Sequence, residues 1–408
     1  MEPRHGAATA TFHQRWPAQV LLWVSTLSCS FSSPASLPPS LVPRVRSSYT
    51  LGRTFLGLDK CNACIGTSIC KKFFKEEIRF DNSLASHLGL PSQDLVSYAA
   101  NYTDDSKTWR PVEISRLVSK YRSDISDRRI CASASTPKTC SIDRILRKTG
   151  RFQKWLQAKR LTPDLVQGLP SPFLRCPSQR LLDRVVRRYA EVADAGSIFM
   201  DHFTDRDKLR LLYTLAVNAH PIILQIFPGA EGWPMPKYLG SCGRFLISTR
   251  TRPLQEFYDA PPEQAADLAY QLLGVLESLR SNDLNYFFYF THVDAGIQAA
   301  ARTGENEDIF SCLVSGYQGQ MSSCDTIPEK QSQVLACQQL LPQLLRGKFP
   351  SPVQEEIDSA LSLCSKDSST DLEVLEATSR LKDILRPLRT CDPRFAYRYP
   401  DCKYNDRF

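Results

Sequence analysis

A carboxylate ends one of the most aromatic segments of this chain. The segment reads Asn285-Tyr-Phe-Phe-Tyr-Phe-Thr-His-Val-Asp294, and its apolar composition predicts a buried strand that stops at the Asp. A well-placed Asp can act as a general base that accepts the proton of a substrate hydroxyl. An Asp at the end of a strand can also simply cap the following turn. Both interpretations of Asp294 stay open at this point.

The elements that would position this carboxylate precede it in the chain. Tyr238-Leu-Gly-Ser-Cys-Gly-Arg244 and Phe245-Leu-Ile-Ser248 are predicted to be strands of one sheet. Residues 263 to 279 carry apolar side chains over a wide face, which predicts a helix that is buried on most sides. Upstream, residues 205 to 218 are a predicted helix, and residues 220 to 228 form an apolar run of strand length.

One further strand and several further helices complete the predicted pattern. Val112-Glu-Ile-Ser115 is a β-prone segment. Pro177 starts a helix for which Gly196 is a stop signal, and its predicted core positions are Leu181, Leu182, Val185, Val186, Tyr189, Ala190 and Ala193. Residues 142 to 161 are basic and amphipathic, with candidate core positions Ile145, Leu146, Phe152, Trp155 and Leu156. The most periodic segments after Asp294 are residues 334 to 345 and 372 to 385.

The composition is that of a globular protein with a solvated surface. The chain has 408 residues, of which 42% are hydrophobic and 23% are charged, so it is not a disordered chain. Its length suggests two or three domains or lobes. The net charge of +8 is spread along the chain, with basic and acidic residues mostly alternating. Because no nucleic-acid module signature accompanies that charge, we expect no nucleic-acid partner.

The N-terminus predicts entry into the secretory pathway. Residues 1–33 are a predicted signal peptide with a short apolar run and small residues at the cleavage site, although an uncleaved signal anchor is an alternative. Residues 34–50 are rich in Ser and Pro and are predicted to be a flexible lead-in. We expect no transmembrane span after signal removal, and a protein that is secreted or retained in the Golgi or ER lumen. Asn101-Tyr-Thr103 is a glycosylation sequon, which predicts an exposed loop carrying a glycan at Asn101.

The cysteines favour an oxidising compartment. There are 14, which becomes 13 if the signal peptide is removed, so at least one is free or pairs between chains. Cys61 and Cys64 form a CxxC, but no second ligand pair follows, so we expect disulfides and no metal site. The Cys131–Cys140 and Cys391–Cys402 pairs are each spaced to close a loop. The disulfide candidates are Cys61, Cys64, Cys70, Cys131, Cys140, Cys176, Cys242, Cys312, Cys324, Cys337, Cys364, Cys391 and Cys402.

Three segments together resemble one protein family. They are Leu58-Asp-Lys-Cys-Asn-Ala-Cys-Ile-Gly-Thr-Ser-Ile-Cys70, Cys176-Pro-Ser-Gln-Arg-Leu-Leu-Asp-Arg-Val-Val-Arg-Arg-Tyr-Ala190 and Glu231-Gly-Trp-Pro-Met-Pro-Lys-Tyr-Leu-Gly-Ser-Cys-Gly-Arg244. They resemble the divergent protein kinase domain family of the animal secretory pathway, in its deleted-in-autism branch. The resemblance covers roughly residues 53 to 408. It implies a secretory, cysteine-rich protein with a kinase-like bilobal fold.

The fold class expected from the resemblance is therefore α+β, kinase-like and bilobal, with a mostly helical C-lobe, many disulfides and a cysteine-rich N-terminal segment. Residues 51–175 are expected to hold the cysteine-rich segment and part of the N-lobe. Residues 176–260 would supply the rest of the N-lobe and the hinge. Residues 261–408 would form a C-lobe that is incomplete after Asp294.

The chain departs from the kinase pattern at the positions that hold nucleotide and metal. A kinase carries a Lys on its third strand, and the matching position here is Ser115. No Gly-rich phosphate loop precedes that strand. Thr291-His-Val-Asp294 resembles the catalytic His-Arg-Asp, but the metal-binding Asn expected five residues later is Ala299. The resemblance implies a further strand-forming segment, with an Asp-containing element, after the Asp294 position, and we interpret its absence here as a deletion.

These departures predict a non-catalytic, pseudokinase-type signalling or binding factor, with a protein partner or a cell-surface receptor. An active secretory-pathway protein kinase that uses Asp294 is the first alternative, and a structural disulfide-bonded extracellular protein is the second. No cofactor is expected, and ATP with Mg²⁺ or Mn²⁺ would be needed only if the kinase alternative holds.

Overall fold

The computed structural model describes about three fifths of the chain. The predictions for the signal peptide, the lead-in, Asp294 and Ala299 lie outside the described residues. The described residues are 68–80, 97–118, 120–134, 140–169, 171, 174, 176–189, 197–228, 233, 235–250, 254–282, 284, 309–314, 328–391 and 403–404.

A five-stranded antiparallel sheet forms one part of the molecule. Its strands are β1 (Ile78–Phe80), β2 (Ser97–Thr103), β3 (Trp109–Arg116), β4 (Tyr238–Cys242) and β5 (Phe245–Thr249), in the spatial order β1-β2-β3-β5-β4. A short helix, α1 (Cys70–Phe74), precedes the sheet. The strands predicted at residues 112–115 and 245–248 are therefore confirmed, and the strand predicted at residues 238–244 is present but ends at Cys242.

The sheet buries one face against α1. Val112 and Ile114 alternate with more exposed neighbours along β3, because successive strand side chains point to opposite faces. Both pack with Ile69 and Phe73 in a small hydrophobic cluster. The disulfide Cys70–Cys242 then joins α1 to β4 across 172 residues of sequence. Helix α1 is half-buried, with Phe73 buried and Phe74 exposed.

Seven helices lie between β3 and β4. Their bounds are α2 (Lys120–Ser133), α3 (Ile142–Leu146), α4 (Gly150–Gln157), α5 (Pro163–Val166), α6 (Gln179–Arg188), α7 (Asp205–Val217) and α8 (His220–Ile226), as found in the described part of this region. The helix predicted from Pro177 begins at Gln179, with Ser178 as its N-cap, and ends at Arg188 rather than near Gly196. The five core positions described on its predicted face, Leu181, Leu182, Val185, Val186 and Tyr189, are all buried.

The strand predicted at residues 220–228 is wrong, because His220–Ile226 is helix α8. Pro221 stands in the first helical turn, where its missing N–H is not needed. The Asn218 side-chain oxygen accepts a hydrogen bond of 2.8 Å from the His220 N–H and so helps to start the helix. A short apolar run that is buried all round has no period that separates strand from helix, which explains the error.

The remaining elements follow β5. They are a 3-10 turn (Leu254–Phe257), α9 (Pro262–Ser281), α10 (Ile309–Val314), α11 (Gln331–Gln339), α12 (Leu341–Leu345), α13 (Val353–Cys364), α14 (Asp371–Leu385), a 3-10 turn (Arg386–Leu388), β6 (Thr390–Cys391) and β7 (Lys403–Tyr404). The predicted helices at residues 263–279, 334–345 and 372–385 are confirmed. Strands β6 and β7 pair in parallel, which fixes the end of the described chain.

The main hydrophobic cluster contains residues from the helices that precede β4 in the chain and from the helices that follow β5. It combines Phe152, Trp155 and Leu182 from before β4 with Leu272 from α9 and Leu381 from α14. Leu246 of β5 also belongs to this cluster, and Tyr238 of β4 packs against it, so the sheet contacts the cluster through the β4–β5 hairpin. Trp155 has no exposed surface, and its ring N–H donates to the Leu165 carbonyl at 3.2 Å. The helices before β4 thus share one core with the C-terminal helices.

The described cysteines support the predicted disulfide-rich character. Besides Cys70–Cys242, disulfides join Cys131 to Cys140 and Cys337 to Cys364, and Cys176 is disulfide-bonded as well. The predicted Cys131–Cys140 loop is confirmed. Cys312 is buried in α10. The remaining candidates and the Cys391–Cys402 pairing lie outside the residues described in side-chain detail.

Within the described ranges, no single helix has the length and apolar character needed to cross a bilayer. Helices α7 and α8 reach that length and composition only as a pair bent by 111°.

The glycosylation sequon is in a strand and not in the predicted exposed loop. Asn101 is a partly buried residue of β2, where it pairs with Arg79 of β1 and Pro111 of β3. Neighbouring β-prone residues such as Tyr98 and Tyr102 outweigh the low strand preference of Asn. Asn101 lies on the sheet face opposite Ala100, which is buried in the small cluster.

Candidate functional site

The expected lysine position is on the central strand of the sheet. Ser115 lies in β3, between Ser97 of β2 and Leu246 of β5. By strand alternation, Glu113 and Ser115 share the face opposite Val112 and Ile114. A hydroxyl at this position has no positive charge to offer to a phosphate group.

Strand β3 contains no lysine, and its two arginines contact other groups. Arg110 forms an ion pair with Asp104 in the turn before the strand. The Arg116 guanidinium lies 4.9 Å from the centroid of the Phe245 ring, so it stacks on the neighbouring strand. The positive charges of β3 are therefore used within the sheet and its turn.

The hairpin between β4 and β5 supplies a cation instead. Cys242 and Phe245 pair directly, so Gly243 and Arg244 form a two-residue turn. Gly243 has a φ of 59°, which glycine adopts without steric cost and which such tight turns need. The turn places Arg244 against helix α2, where its Nη2 lies 2.6 Å from Oδ1 of Asp127.

This Arg244–Asp127 pair is buried. The side chains of Arg244 and Asp127 are only 14% and 6% exposed, so solvent screens their attraction weakly. Tyr213 of α7 lies in the same cluster. Burial alone would lower the pKa of Arg244, but Tyr213 and Asp127 outweigh it and hold that pKa above its usual value. Burial raises the pKa of the Tyr213 hydroxyl.

Backbone contacts hold the same elements together. The Leu117 N–H, just after β3, donates to the Arg244 carbonyl at 3.3 Å. The Leu117 carbonyl accepts a hydrogen bond of 3.0 Å from the side-chain amide of Asn218, at the end of α7. The end of β3, the β4–β5 turn, α2 and α7 therefore meet at one point. This arrangement ties the helices to the sheet.

A second buried polar cluster joins α9 to the C-terminal segment. The Arg389 guanidinium lies 3.7 Å from the centroid of the Tyr270 ring, and its Nη1 is 3.8 Å from Oδ1 of Asp267. Burial raises the pKa of Asp267 to about 6, although Arg389 and a hydrogen bond from Gln271 act in the opposite direction. These contacts anchor the segment around Arg389 to a core helix, which is a structural role.

No metal-ligand cluster is present among the residues that the structure describes: no three His, Cys, Asp or Glu side chains converge. Asp294, the candidate general base, and Ala299, at the expected metal-binding position, lie outside those residues. Of the proposed catalytic and nucleotide positions, the structure therefore places only Ser115. The Arg244–Asp127 pair was missed from the sequence, although the Gly-Arg turn between two predicted strands is a signal for a charge at a hairpin tip.

The comparisons with known proteins define the class of the chain as kinase-like. A family model described as the protein-kinase domain of FAM69 matches in two segments, residues 212–299 and 295–367. The second half of α7, helix α8, the β4–β5 hairpin and α9 fall in the first segment. No solved structure matches the chain.

Full-length relatives identify the family. A mouse protein named Divergent protein kinase domain 2B is 84% identical over 429 aligned positions, which cover 99% of each chain. A human protein of the same name is 75% identical over 434 positions that cover both chains completely. Divergent protein kinase domain 2A of Xenopus tropicalis is 38% identical and covers 62% of this chain and 59% of its own. This chain belongs to the divergent protein kinase domain family.

The same alignments show a length difference. The alignment with the human relative has 434 positions, whereas this chain has 408 residues. At least 26 positions of the alignment are therefore gaps in this chain. The match to the family model is divided into two segments, which overlap at residues 295–299.

Proposed function

We propose that this chain is a non-catalytic, kinase-like signalling or binding factor. The observation that carries the proposal is the composition of β3, the third strand of the sheet, which holds Ser115 where a kinase needs a Lys. In kinases that Lys holds the nucleotide phosphates. Because the two arginines of β3 contact Asp104 and Phe245, neither replaces it. The residues described at this strand do not fit a nucleotide-phosphate site.

A missing segment after Asp294 supports the proposal. The 26 unmatched positions and the break in the family match at residues 295–299 agree with a deletion directly after the candidate base. In kinases this part of the chain carries the metal-binding Asn and Asp. Loss of the segment would remove the groups that hold Mg²⁺ or Mn²⁺ against the phosphates.

The Arg244–Asp127 pair explains how the sheet and the helices stay joined when no nucleotide is bound. In active kinases an ion pair from the third strand to a helix is part of the catalytic arrangement. Here the cation comes from the β4–β5 turn and the anion from α2, so the sheet and helices are joined through a contact that needs no ligand. A fold that is held together without a ligand is compatible with a rigid surface for a protein partner or a cell-surface receptor.

The proposed compartment is the secretory route, with secretion or retention in the Golgi or ER lumen. Disulfides that bridge 172, 27 and 9 residues support it, because such bonds form and persist in oxidising compartments.

Nucleotide binding tests the proposed function. A ligand that binds only the native state at about 100 times its Kd stabilises it by about 2.7 kcal/mol. We expect the thermal midpoint of the purified chain to stay unchanged with ATP and Mg²⁺ or Mn²⁺. A concentration-dependent rise would favour the active-kinase alternative that uses Asp294. Ser115→Lys is a useful companion variant, since it restores only the missing charge.

Glycosylation at Asn101 tests the proposed compartment. On expression in a secreting cell line, we expect the protein in the medium or the lumen, with an electrophoretic shift on N-glycosidase treatment. Asn101→Gln should abolish that shift. A full-length, unglycosylated cytosolic product would contradict the compartment, and a shift that survives Asn101→Gln would contradict the site.

A further inference from the structure

A carboxyl group and an amide meet in a mostly buried contact on helix α9. Asp267 and Gln271 stand one helical turn apart, and Nε2 of Gln271 donates to Oδ2 of Asp267 at 2.6 Å. The Asp267 side chain is only 16% exposed. Oε1 of Gln271 is buried and accepts no hydrogen bond from any described group. The contact therefore satisfies the amide nitrogen and leaves the amide oxygen unpaired, which is costly for a buried acceptor.

The same two side chains can pair in the opposite direction. A half-turn of the Gln271 amide exchanges its nitrogen and its oxygen, which are nearly alike in shape. If Asp267 carries a proton, its O–H can then donate to Oε1 of Gln271. The heavy-atom distance of 2.6 Å is short for an N–H donor but ordinary for an O–H donor. The geometry of the contact therefore suits a protonated carboxyl group.

One charged group acts on this carboxyl group. Nη1 of Arg389 lies 3.8 Å from Oδ1 of Asp267, and the Arg389 side chain is 1% exposed. Burial raises the pKa of Asp267 from 3.8 to about 6, while Arg389 and the hydrogen bond from Gln271 oppose that rise. The folded chain therefore binds a proton in a pH range in which the unfolded chain does not.

The other elements packed on α9 bring no further charge to the contact. Helices α11 and α12 and strand β6 contain no charged residue. Of the charged residues of α14, only Lys382 is not exposed, and it pairs with Glu277. Arg386 of the following 3-10 turn is exposed. On α9 itself, Glu263 is exposed, and Glu277 and Arg280 lie about 15 Å or more further along the axis.

We propose that Asp267 and Gln271 form a proton switch, which makes the folded chain more stable in mildly acidic than in neutral solution. At neutral pH the carboxylate accepts a hydrogen bond from the Gln271 amide and attracts Arg389. In acid, a proton from solvent binds the carboxyl group, which donates it in a hydrogen bond to the Gln271 oxygen. Arg389 then keeps its contact with the Tyr270 ring, at 3.7 Å.

The direction of the effect follows from proton linkage. Because the pKa of Asp267 is raised in the folded chain, the stabilisation from its protonation grows as the pH falls through about 6. It is complete below the unfolded value of 3.8 and is lost as the pH rises above 6. An acidifying secretory lumen, the compartment proposed above, is where such a switch would act, but the switch itself does not depend on that compartment.

The test is urea denaturation of the purified full-length chain and of Asp267→Asn at two pH values. Asn has nearly the size of Asp, and it resembles the protonated carboxyl group in being neutral and able to donate to Gln271. Relative to this variant, the native-to-unfolded ratio of the parent should rise about tenfold between about pH 7.5 and about pH 5. Only the change with pH is compared, so a constant difference in stability between the two proteins does not affect the result.

The matched control is Asp358→Asn on α13. Nε2 of Gln354 donates to Oδ1 of Asp358 at 3.0 Å with the same spacing along a helix. Asp358 is exposed, however, and Oε1 of Gln354 already accepts from the N–H groups of Lys348 and Phe349, at 3.1 and 3.0 Å. That amide is therefore fixed in one direction. We expect the ratio of the parent to this control to stay the same at both pH values.

Infrared spectroscopy gives a second measurement that does not require unfolding. The C=O stretch of protonated carboxyl groups should include a component with a midpoint near pH 6 in the parent and in Asp358→Asn. Asp267→Asn should lack that component. Because the parent and the control show it without the Asp267 variant, the test remains decisive even if Asp267→Asn does not fold.

Four outcomes would overturn the proposal. The first is a parent-to-Asp267→Asn ratio that does not change with pH, and the second is an equal change for Asp358→Asn. The third is a ratio that rises toward neutral pH, which would mean that Asp267 stays ionised beside Arg389. The fourth is the absence of the infrared component from the parent. None of these measurements uses a nucleotide or a glycan, so their failure is distinct from a failure of the proposed function.

Discussion

Replacing Arg244 by Met should lower the free energy of unfolding by about 3–5 kcal/mol, because the change leaves the Asp127 carboxylate buried without its cation. Asp127 is only 6% exposed, and Arg244 donates to its Oδ1 at 2.6 Å. Asp127→Leu should cost a similar amount by leaving the guanidinium unpaired. The double variant should be more stable than the sum of the two losses predicts, since it leaves no buried charge behind.

Arg160→Met provides the matched control for this prediction. Arg160 also pairs with an Asp, but it is 38% exposed and its partner Asp183 is 17% exposed. Such a pair is partly screened by water, so its loss should cost about 1 kcal/mol or less. Chemical denaturation of the parent and the four variants gives the comparison. Equal losses for Arg160→Met and Arg244→Met would show that the β4–β5 turn does not hold α2 to the sheet.

The second large effect concerns the disulfide between α1 and β4. Closing a loop of 172 residues removes chain entropy from the unfolded state that corresponds to about 5 kcal/mol at 25 °C. Replacing Cys70 and Cys242 together by Ala should therefore destabilise the protein strongly and release α1 from the sheet. The matched change at Cys131 and Cys140 opens a loop of only 9 residues, for which the same relation gives about 2.6 kcal/mol.

Denaturation of the two double-alanine variants, compared with the parent under non-reducing conditions, measures this difference. The larger loss should belong to the Cys70–Cys242 pair. A larger loss for the Cys131–Cys140 pair would mean that local packing, and not loop length, determines the stability that these bonds contribute.

Elements were predicted correctly where the hydrophobic period and the residues that mark the ends of the element indicate the same structure. Helix α9 has a wide apolar face, and α6 has a regular apolar face after Pro177, so both were recognised. The segment at His220–Ile226 was misassigned, since its residues are almost all buried and give no period. Asn101 was placed in a loop because it belongs to a glycosylation sequon, and its strand partners in β1 and β3 are not adjacent to it in sequence.

The site was harder to predict than the fold. Ser115 was located correctly in the third strand because the β-prone segment around it is local. The Arg244–Asp127 pair joins residues 117 positions apart, and nothing local to Asp127 in α2 marks it as buried. Its recognition required the turn at Gly243 and the packing of α2, which only the folded chain provides. The serine at position 115 was therefore visible in the sequence, but the buried Arg244–Asp127 pair was not.

The most direct test of the proposed function is ATP turnover by the purified chain with Mg²⁺ or Mn²⁺, compared with Asp294→Ala. A general base alone contributes a factor of about 10²–10⁴, far below the roughly 10⁶-fold or greater acceleration of enzymes. Without a Lys on β3 and without the expected Asn at Ala299, we expect the parent and the Asp294→Ala variant to release phosphate at the same background rate. Turnover by the parent that Asp294→Ala abolishes would contradict the account and identify this chain as an active kinase.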